Sequence, residues 1–403
     1  MTGNVIKGNV LVAQSGGGTA VINASLLGVV QAGLLSPAVE RVYGAWHGIM
    51  GVLGLVEQPW LDFRRVGQET LDGLYRTPGP ALGSCRYRMQ PADYGAALER
   101  LIAADIRYFF YIGGNDSAAT ALSVQRLADA AGYDLRVISV PKTIDNDLPA
   151  TDHCPGYGTA ARQLAILTAE LDLDAWAMKT IEPVRLLVAK GRDSGWLAAS
   201  AALCRPNEGR GPHLIYVPER AFAEDRFLAD IQGCISKYGY CVAVVAETVK
   251  NVAGKSPLPQ EGAFVDAFGH HYGGDIGGYL ASLVRRELKV RARRDEPGSA
   301  LKTGAAYISQ RDLREAYQVG QAAVQAAVRG ERGKMISLIR SDGLAYSCTT
   351  GLAPLEAVAE HERLLPSEYI NDANNNVTGD FIQYALPLIA SPSDPLPQYV
   401  TLT

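Results

Sequence analysis

The chain has 403 residues, 47% of them hydrophobic, and carries a formal net charge of −4. That length exceeds one ordinary core and points to two domains, while the slightly acidic balance argues against a nucleic-acid or membrane-surface partner. The six cysteines are scattered without a CxxC pair, and no stretch approaches the roughly 18 apolar residues of a membrane span, so the expectation is a reduced, cytoplasmic protein without a signal segment.

Asn9-Val10-Leu11-Val12-Ala13 reads as a buried strand, Gln14 to Thr19 as a turn containing Gly16, Gly17 and Gly18, and Ala20 to Val30 as a helix. A strand that runs through glycines into a helix brings backbone N–H groups up to an anion at the helix's positive end. Neither a Walker A nor a GxGxxG pattern is present, so taken alone the turn is as easily a tight βα connection. Arg107 to Ile112 is an aromatic and β-branched strand, closed by Gly113-Gly114 and followed by Asn115, Asp116 and a helix from Ser117. Leu135 to Val140 is another strand, stopped by Pro141. Both polar segments, Gly113 to Ser117 and Pro141-Lys142-Thr143-Ile144-Asp145-Asn146-Asp147, therefore fall at carboxyl ends of strands, where open α/β sheets place ligands. Asp116, Asp145, Asp147, Lys142 and the glycine pair are the equipment for moving a phosphoryl group. The bland alternative for the aspartates is a turn around Asn146. In extended chain the side chains of Asp145 and Asp147 would leave on one side.

Strand-like runs continue at α/β spacing over Val184–Ala189, Leu214–Val217 and Cys241–Ala246, with polar exits at Lys190-Gly191-Arg192, Pro218-Glu219-Arg220 and Glu247-Thr248. A second parallel sheet follows, and the fold class is α/β with two Rossmann-like domains of mainly parallel sheet. Gly273 to Gly278 mimics a nucleotide loop but lacks a preceding strand, so it reads as the entrance to a helix over Tyr279–Val284. His270-His271 is not read as a metal pair, because adjacent side chains diverge and no acidic ligand is spaced to join them.

Together these motifs resemble the phosphofructokinases, from Asn9 to about Ile389. The heptapeptide Pro141 to Asp147 is the most specific piece. Gly83-Ser84-Cys85-Arg86, Lys190 to Trp196, Ala246-Glu247, Phe268-Gly269-His270 and Glu315 to Gly320 support it. The resemblance implies a phosphofructokinase fold with a donor domain over 1–156 plus about 301–365 and a sugar-phosphate domain over 157–300 plus about 366–403. It implies transfer of a phosphoryl group to the 1-hydroxyl of fructose 6-phosphate with Mg²⁺, in glycolysis, by a homodimer or homotetramer.

By the same resemblance Asp145 matches the general base, and Thr143 a hydroxyl that holds the reacting groups. Gly16, Gly17, Arg86, Asp116 and Lys142 match the donor site, and Asn115, Asp116 and Asp147 the metal site. Asn115 is a departure, since many relatives have an acidic ligand there and a neutral amide is a poorer partner for Mg²⁺. Thr143, Asp145, Lys190, Gly191, Arg192, Glu247, Arg293 and Lys302 match the sugar-phosphate site. Lys190 stands where methionine is commoner and Lys302 where arginine is usual, which keeps charge but loses a bidentate grip. A rival register uses Tyr307 and Arg311, and a solvated basic face is the plain reading of Arg291, Arg293 and Arg294. For the donor, ATP-using relatives usually carry glycine at positions 116 and 142, whereas pyrophosphate-using relatives carry a carboxylate and a lysine. The pair Asp116 and Lys142 is thus read as a filter with a repulsive and an attractive element, favouring pyrophosphate. The alternatives are an Asp116–Lys142 salt bridge unrelated to the donor, ATP as donor, a different sugar phosphate such as sedoheptulose 7-phosphate, and a non-catalytic chain that binds sugar phosphates.

Overall fold

Long apolar runs set the strands at the centre of both sheets. The computed structural model describes residues 6–258, 264–265, 271–272, 274–343 and 345–400. The chain divides into two units. Unit 1 comprises Met1–Thr143, Leu148–Tyr157 and Asp312–Arg363, and unit 2 comprises Ile144–Asp147, Gly158–Arg311 and Leu364–Thr403. The chain therefore passes from unit 1 to unit 2 inside the heptapeptide, and residues 301–311 group with unit 2. The motif Phe268-Gly269-His270 lies outside the described residues.

Unit 1 is built on a seven-stranded sheet. Its members are β1 (Gly8–Gln14), β2 (Val39–Ala45), β3 (Trp60–Asp62), β4 (Ile106–Gly113), β5 (Arg136–Pro141), β12 (Lys334–Arg340) and β13 (Cys348–Pro354), in the order β13-β12-β5-β4-β1-β2-β3. Only the edge strands β3 and β13 run antiparallel to their neighbours. Alternation along β1 and β4 feeds two cores. Leu11, Phe109 and Tyr111 pack to one face, and Val10, Val12, Tyr108 and Phe110 to the other. Helices cover both faces, as a parallel sheet requires.

Unit 2 holds β6 (Val184–Ala189), β7 (Leu214–Tyr216), β8 (Cys241–Ala246) and β11 (Ala292–Asp295) in the order β11-β6-β8-β7, all parallel. Two short strands, β9 (Phe264–Val265) and β10 (His271–Tyr272), pair antiparallel apart from it. The segment after Gly274 begins the helix Ile276–Leu288, with the Asp275 carboxylate accepting from the Gly278 N–H at 2.7 Å. It is a helix entrance, as expected.

The helix Ile22–Leu35, which follows the glycine turn, crosses the helix Gln310–Val328 at two glycines. A Cβ on Gly320 would lie 2.2 Å from the Ser25 carbonyl oxygen and 3.1 Å from Gly28 Cα, and one on Gly28 would lie 2.2 Å from the Tyr317 carbonyl oxygen. Backbone cannot yield as a flexible side chain would. Gly320→Ala is therefore expected to cost about 3 kcal/mol of stability, read as a lowered midpoint in urea or thermal unfolding.

Candidate functional site

In unit 1 the strand ends meet because β1, β4 and β5 lie side by side, with Gln14 level with Ile112 and Gly113 level with Pro141. The chain leaves β1 through Gly16 at φ +73°, a conformation that suits glycine. Lys142, 5% exposed, leans over this turn, and its Nζ donates to the Gly17 carbonyl oxygen at 2.8 Å. A Cβ on Gly16 would sit 3.2 Å from that ammonium. The Ser84 hydroxyl donates to the Gly16 carbonyl oxygen at 2.6 Å, which brings the stretch leading to the exposed Arg86 to the same turn. Gly16, Gly17 and Lys142 are thus brought together, with Arg86 two residues from a direct tie.

Asp116 lies in the first turn of the helix Asn115–Ala130, whose positive end favours a carboxylate or a bound anion. The buried Asn115 donates from Nδ2 to the His361 carbonyl oxygen at 2.8 Å, leaving its Oδ1 as the atom suited to a cation. Thr143 is registered from its other side. Its N–H donates to the Pro155 carbonyl oxygen at 3.2 Å, and it forms a parallel bridge with Gly156.

Sequence reasoning missed the residues that hold the Ser84 segment in place. Buried Gln14 donates to Asn23 Oδ1 at 2.9 Å, and Asn23 donates to the carbonyls of Thr77 and Gly79. The same two side chains accept from the N–H groups of Ala81 and Leu82. Two amides flanking a glycine turn, one at a strand exit and one at a helix start, are the only sequence signal for this support.

From Pro141 to Leu148, where the chain passes into unit 2 and back, Asp145 is the single residue that is not buried. Its carbonyl oxygen accepts from the Ser194 hydroxyl at 3.0 Å, and Ser194 also reaches the Gly191 carbonyl oxygen at 3.3 Å. Asp145, Gly191 and Arg192 are thereby drawn to one turn. Gly191 at φ +151° and Arg192 at φ +49° shape that turn, and the Thr248 hydroxyl donates to the Arg192 carbonyl oxygen. Lys190 and Glu247 emerge from neighbouring strands, since Ala189 is level with Ala246, and form an ion pair at 2.9 Å.

Asn146 takes φ +56°, so the chain is not extended here. Asp145 and Asp147 therefore do not project to one side along an extended strand, contrary to the expectation from the sequence. A left-handed asparagine separates them instead, its Nδ2 donating to the Tyr384 hydroxyl at 3.0 Å, and Tyr384 packs on Trp196 and Tyr369.

Arg293 is placed elsewhere. It is level with Arg185, near the start of β6, and it donates to Glu182 at 2.8 Å, as Arg291 does at 3.1 Å. Lys190 lies five residues beyond Arg185, just past the end of β6 and about 16 Å away at the usual rise per residue. Arg294 pairs with Asp275. The three arginines thus form a paired basic face, and the structure does not bring Arg293 to Lys190 and Glu247. Lys302, half-buried on the short helix Ala300–Thr303, is a separate cation of the same unit.

Asp147, 3% exposed, has a buried Oδ1 without a hydrogen-bond partner. An orphaned carboxylate oxygen away from water costs free energy unless a cation meets it, so Asp147 in unit 2 and, separately, Asp116 and the Asn115 carbonyl in unit 1 each offer oxygen donors of the kind a hard ion such as Mg²⁺ takes.

Residues 9–327 match the family model described as phosphofructokinase. The chain is 39% identical to the pyrophosphate–fructose 6-phosphate 1-phosphotransferase of Xanthomonas campestris pv. campestris, covering 98% of this chain and 96% of that one. It is 33% identical to the sulfofructose kinase of Alkalicoccus urumqiensis over 90% of this chain and 92% of that one. Among solved structures, the pyrophosphate-dependent phosphofructokinase of Nitrosospira multiformis superposes with a TM-score of 0.87 at 36% identity, covering 98% of this chain and 94% of that one.

Proposed function

The chain belongs to the phosphofructokinase family, and we propose that it transfers a phosphoryl group from Mg-pyrophosphate to the 1-hydroxyl of fructose 6-phosphate, giving fructose 1,6-bisphosphate and phosphate. The observation that carries the donor assignment is Lys142, a buried ammonium lying on the Gly16–Gly17 turn of the unit in which Asp116 starts a helix. The relatives named for pyrophosphate support the same reading.

Asp145 accepts the proton of the 1-hydroxyl while that oxygen forms its bond to phosphorus. The bridging P–O bond of pyrophosphate breaks and phosphate leaves. Lys142 faces the donor oxygens as negative charge builds on them, in a position fixed before reaction, which is where preorganised charge is most effective. Gly16 and Gly17 let the donor approach the backbone, with Arg86 and Asp116 bounding it, and Thr143 orients the reacting groups. Gly191, Arg192, Lys190 and Glu247 hold the sugar, and Lys302 offers an ammonium to its phosphate. Asn115, Asp116 and Asp147 would hold Mg²⁺, which neutralises charge on the phosphoryl oxygens when bound.

We assign unit 1 to the donor and unit 2 to the sugar phosphate, the heptapeptide linking the two tasks. Phosphoanhydride and sugar phosphate ester are close enough in energy for the reaction to run both ways. The setting we propose is glycolysis in the cytoplasm, with a homodimer or homotetramer as the working form. Among the described residues no helix is long and apolar enough to cross a membrane.

Asp147→Asn tests the metal assignment. Removing its charge is expected to raise the Mg²⁺ concentration for half-maximal rate about tenfold or more, while relieving the unpartnered oxygen leaves the thermal midpoint of the metal-free protein unchanged or higher. An unchanged Mg²⁺ requirement removes Asp147 from the metal site. An acceptor panel tests the sugar: fructose 6-phosphate is expected to be used in preference to the 6-sulfonate analogue, and the reverse order would reassign the acceptor.

A further inference from the structure

The most heavily bonded buried histidine in unit 1 has no part in the chemistry above. His153, 2% exposed, places each ring nitrogen 2.7 Å from a carboxylate, Nδ1 against Asp152 and Nε2 against Glu315. Only an imidazolium donates from both nitrogens at once. Its neighbours are bonded in turn. Glu315 also accepts from the Tyr346 hydroxyl at 2.6 Å, and Asp152 accepts from Arg340 at 3.0 Å.

This cluster grips the loop Leu148–Tyr157. Glu315 and Asp312 are three residues apart on one helix face, and Asp312 accepts from the Gly156 N–H at 2.8 Å. The Asp152 N–H donates to the Leu338 carbonyl oxygen at 2.8 Å, and Arg363 donates to the carbonyls of Thr151 and Asp152. The loop then delivers the Pro155 carbonyl and Gly156 to the backbone of Thr143.

Resting on the phosphotransfer reading, we propose that His153 is a positioning residue: held as an imidazolium between Asp152 and Glu315, it fixes the 148–157 loop and through it the backbone of Thr143, between the reacting groups Lys142 and Asp145. The charge balance supports this. Burial opposes the cation, but the Glu315 and Asp152 carboxylates outweigh it and raise the imidazole to about 9. A raised value means that the clamp is intact at and below neutral pH and is lost as pH rises through about 9. The other titratable groups packed on it stay neutral over that range: burial pushes the Cys348 thiol up to about 11 and raises the Tyr346 hydroxyl above its ordinary value.

The test uses the full chain with Glu315→Gln and His153→Gln. The expected result is a fall in kcat of roughly 10- to 100-fold with the KM for sugar phosphate held within about twofold. For Glu315→Gln the alkaline limb of kcat moves to lower pH. Two readouts need no substrate. Imidazole ¹⁵N shifts of the wild type report a doubly protonated ring at pH 7.5, and hydrogen exchange at the Thr143 amide speeds up at least severalfold in Glu315→Gln. Should either variant not fold, the wild type decides, since its alkaline limb must coincide with ring deprotonation. A neutral ring at pH 7.5, or variants with unchanged kcat and unchanged exchange at Thr143, would overturn the proposal. A wild type that transfers no phosphoryl group would instead overturn the function, with ring state and exchange still judging the clamp.

Discussion

Asp145→Asn is expected to lower kcat by roughly 10²- to 10⁴-fold, the range spanned by general-base catalysis, with the KM values for both substrates little changed. The expectation rests on where the side chain is. Every neighbour from Pro141 to Leu148 is buried while Asp145 is not, so a costly turn of packed residues presents one carboxylate. The Ser194 hydroxyl, in the same unit, donates to its carbonyl oxygen, a backbone bond that the substitution leaves intact. An amide is close in size to the carboxylate but takes no proton at neutral pH. The thermal midpoint should therefore hold while turnover collapses. Steady-state rates with saturating donor and acceptor, beside a melting curve, separate the two. A loss below about tenfold in a folded variant would contradict the role of base.

Asp116→Gly combined with Lys142→Gly is expected to reduce kcat/KM for pyrophosphate by roughly 10²- to 10³-fold, the cost of removing a preorganised charge from a transition state. Lys142 Nζ rests on the Gly17 carbonyl and occupies the space that a side chain at Gly16 would need. Losing it removes both an attraction and an occupant. Asp116 sits at the start of its helix, where a carboxylate already satisfies the positive end. Replacing it with glycine leaves that end open to the phosphate chain of a nucleotide. ATP use is therefore expected to rise in the double variant, since the proposed filter combines a repulsive with an attractive element. Lys142→Gly alone should lose pyrophosphate use without gaining ATP. Pyrophosphate turnover unchanged in the double variant would refute the filter. Parallel rate measurements with the two donors settle it.

Much of the architecture is legible in the chain because its central strands are buried on both faces. β1, β4, β5, β6 and β8 are predominantly apolar, almost wholly buried runs, interrupted at most by single polar residues such as Arg107, Ser139 and Arg185, and a local pattern is enough to find them. The edge strands β3 and β13 are half-exposed and short or polar. Their identity depends on a partner distant in sequence, which no local window contains. The same distinction runs through the site. Lys142 on the glycine turn and Lys190 beside Glu247 follow from strand ends meeting in a parallel sheet. Arg293 does not follow, because spacing along the chain carries no information about which end of a strand a residue occupies. Asn146 shows another limit. Its left-handed turn is stabilised by Tyr384, some 240 residues away, and an extended reading of the heptapeptide has no means of anticipating that bond. The Gln14–Asn23 support and the His153 clamp are likewise assembled from residues whose meaning appears only after the loops are folded.

The most direct measurement of the donor assignment is kcat/KM of the purified chain for Mg-pyrophosphate and for Mg-ATP, each with fructose 6-phosphate at saturation. A preference for pyrophosphate of roughly 10²-fold or more is predicted from the charged pair at positions 116 and 142. Equal use of the two donors, or a preference for ATP, would contradict it.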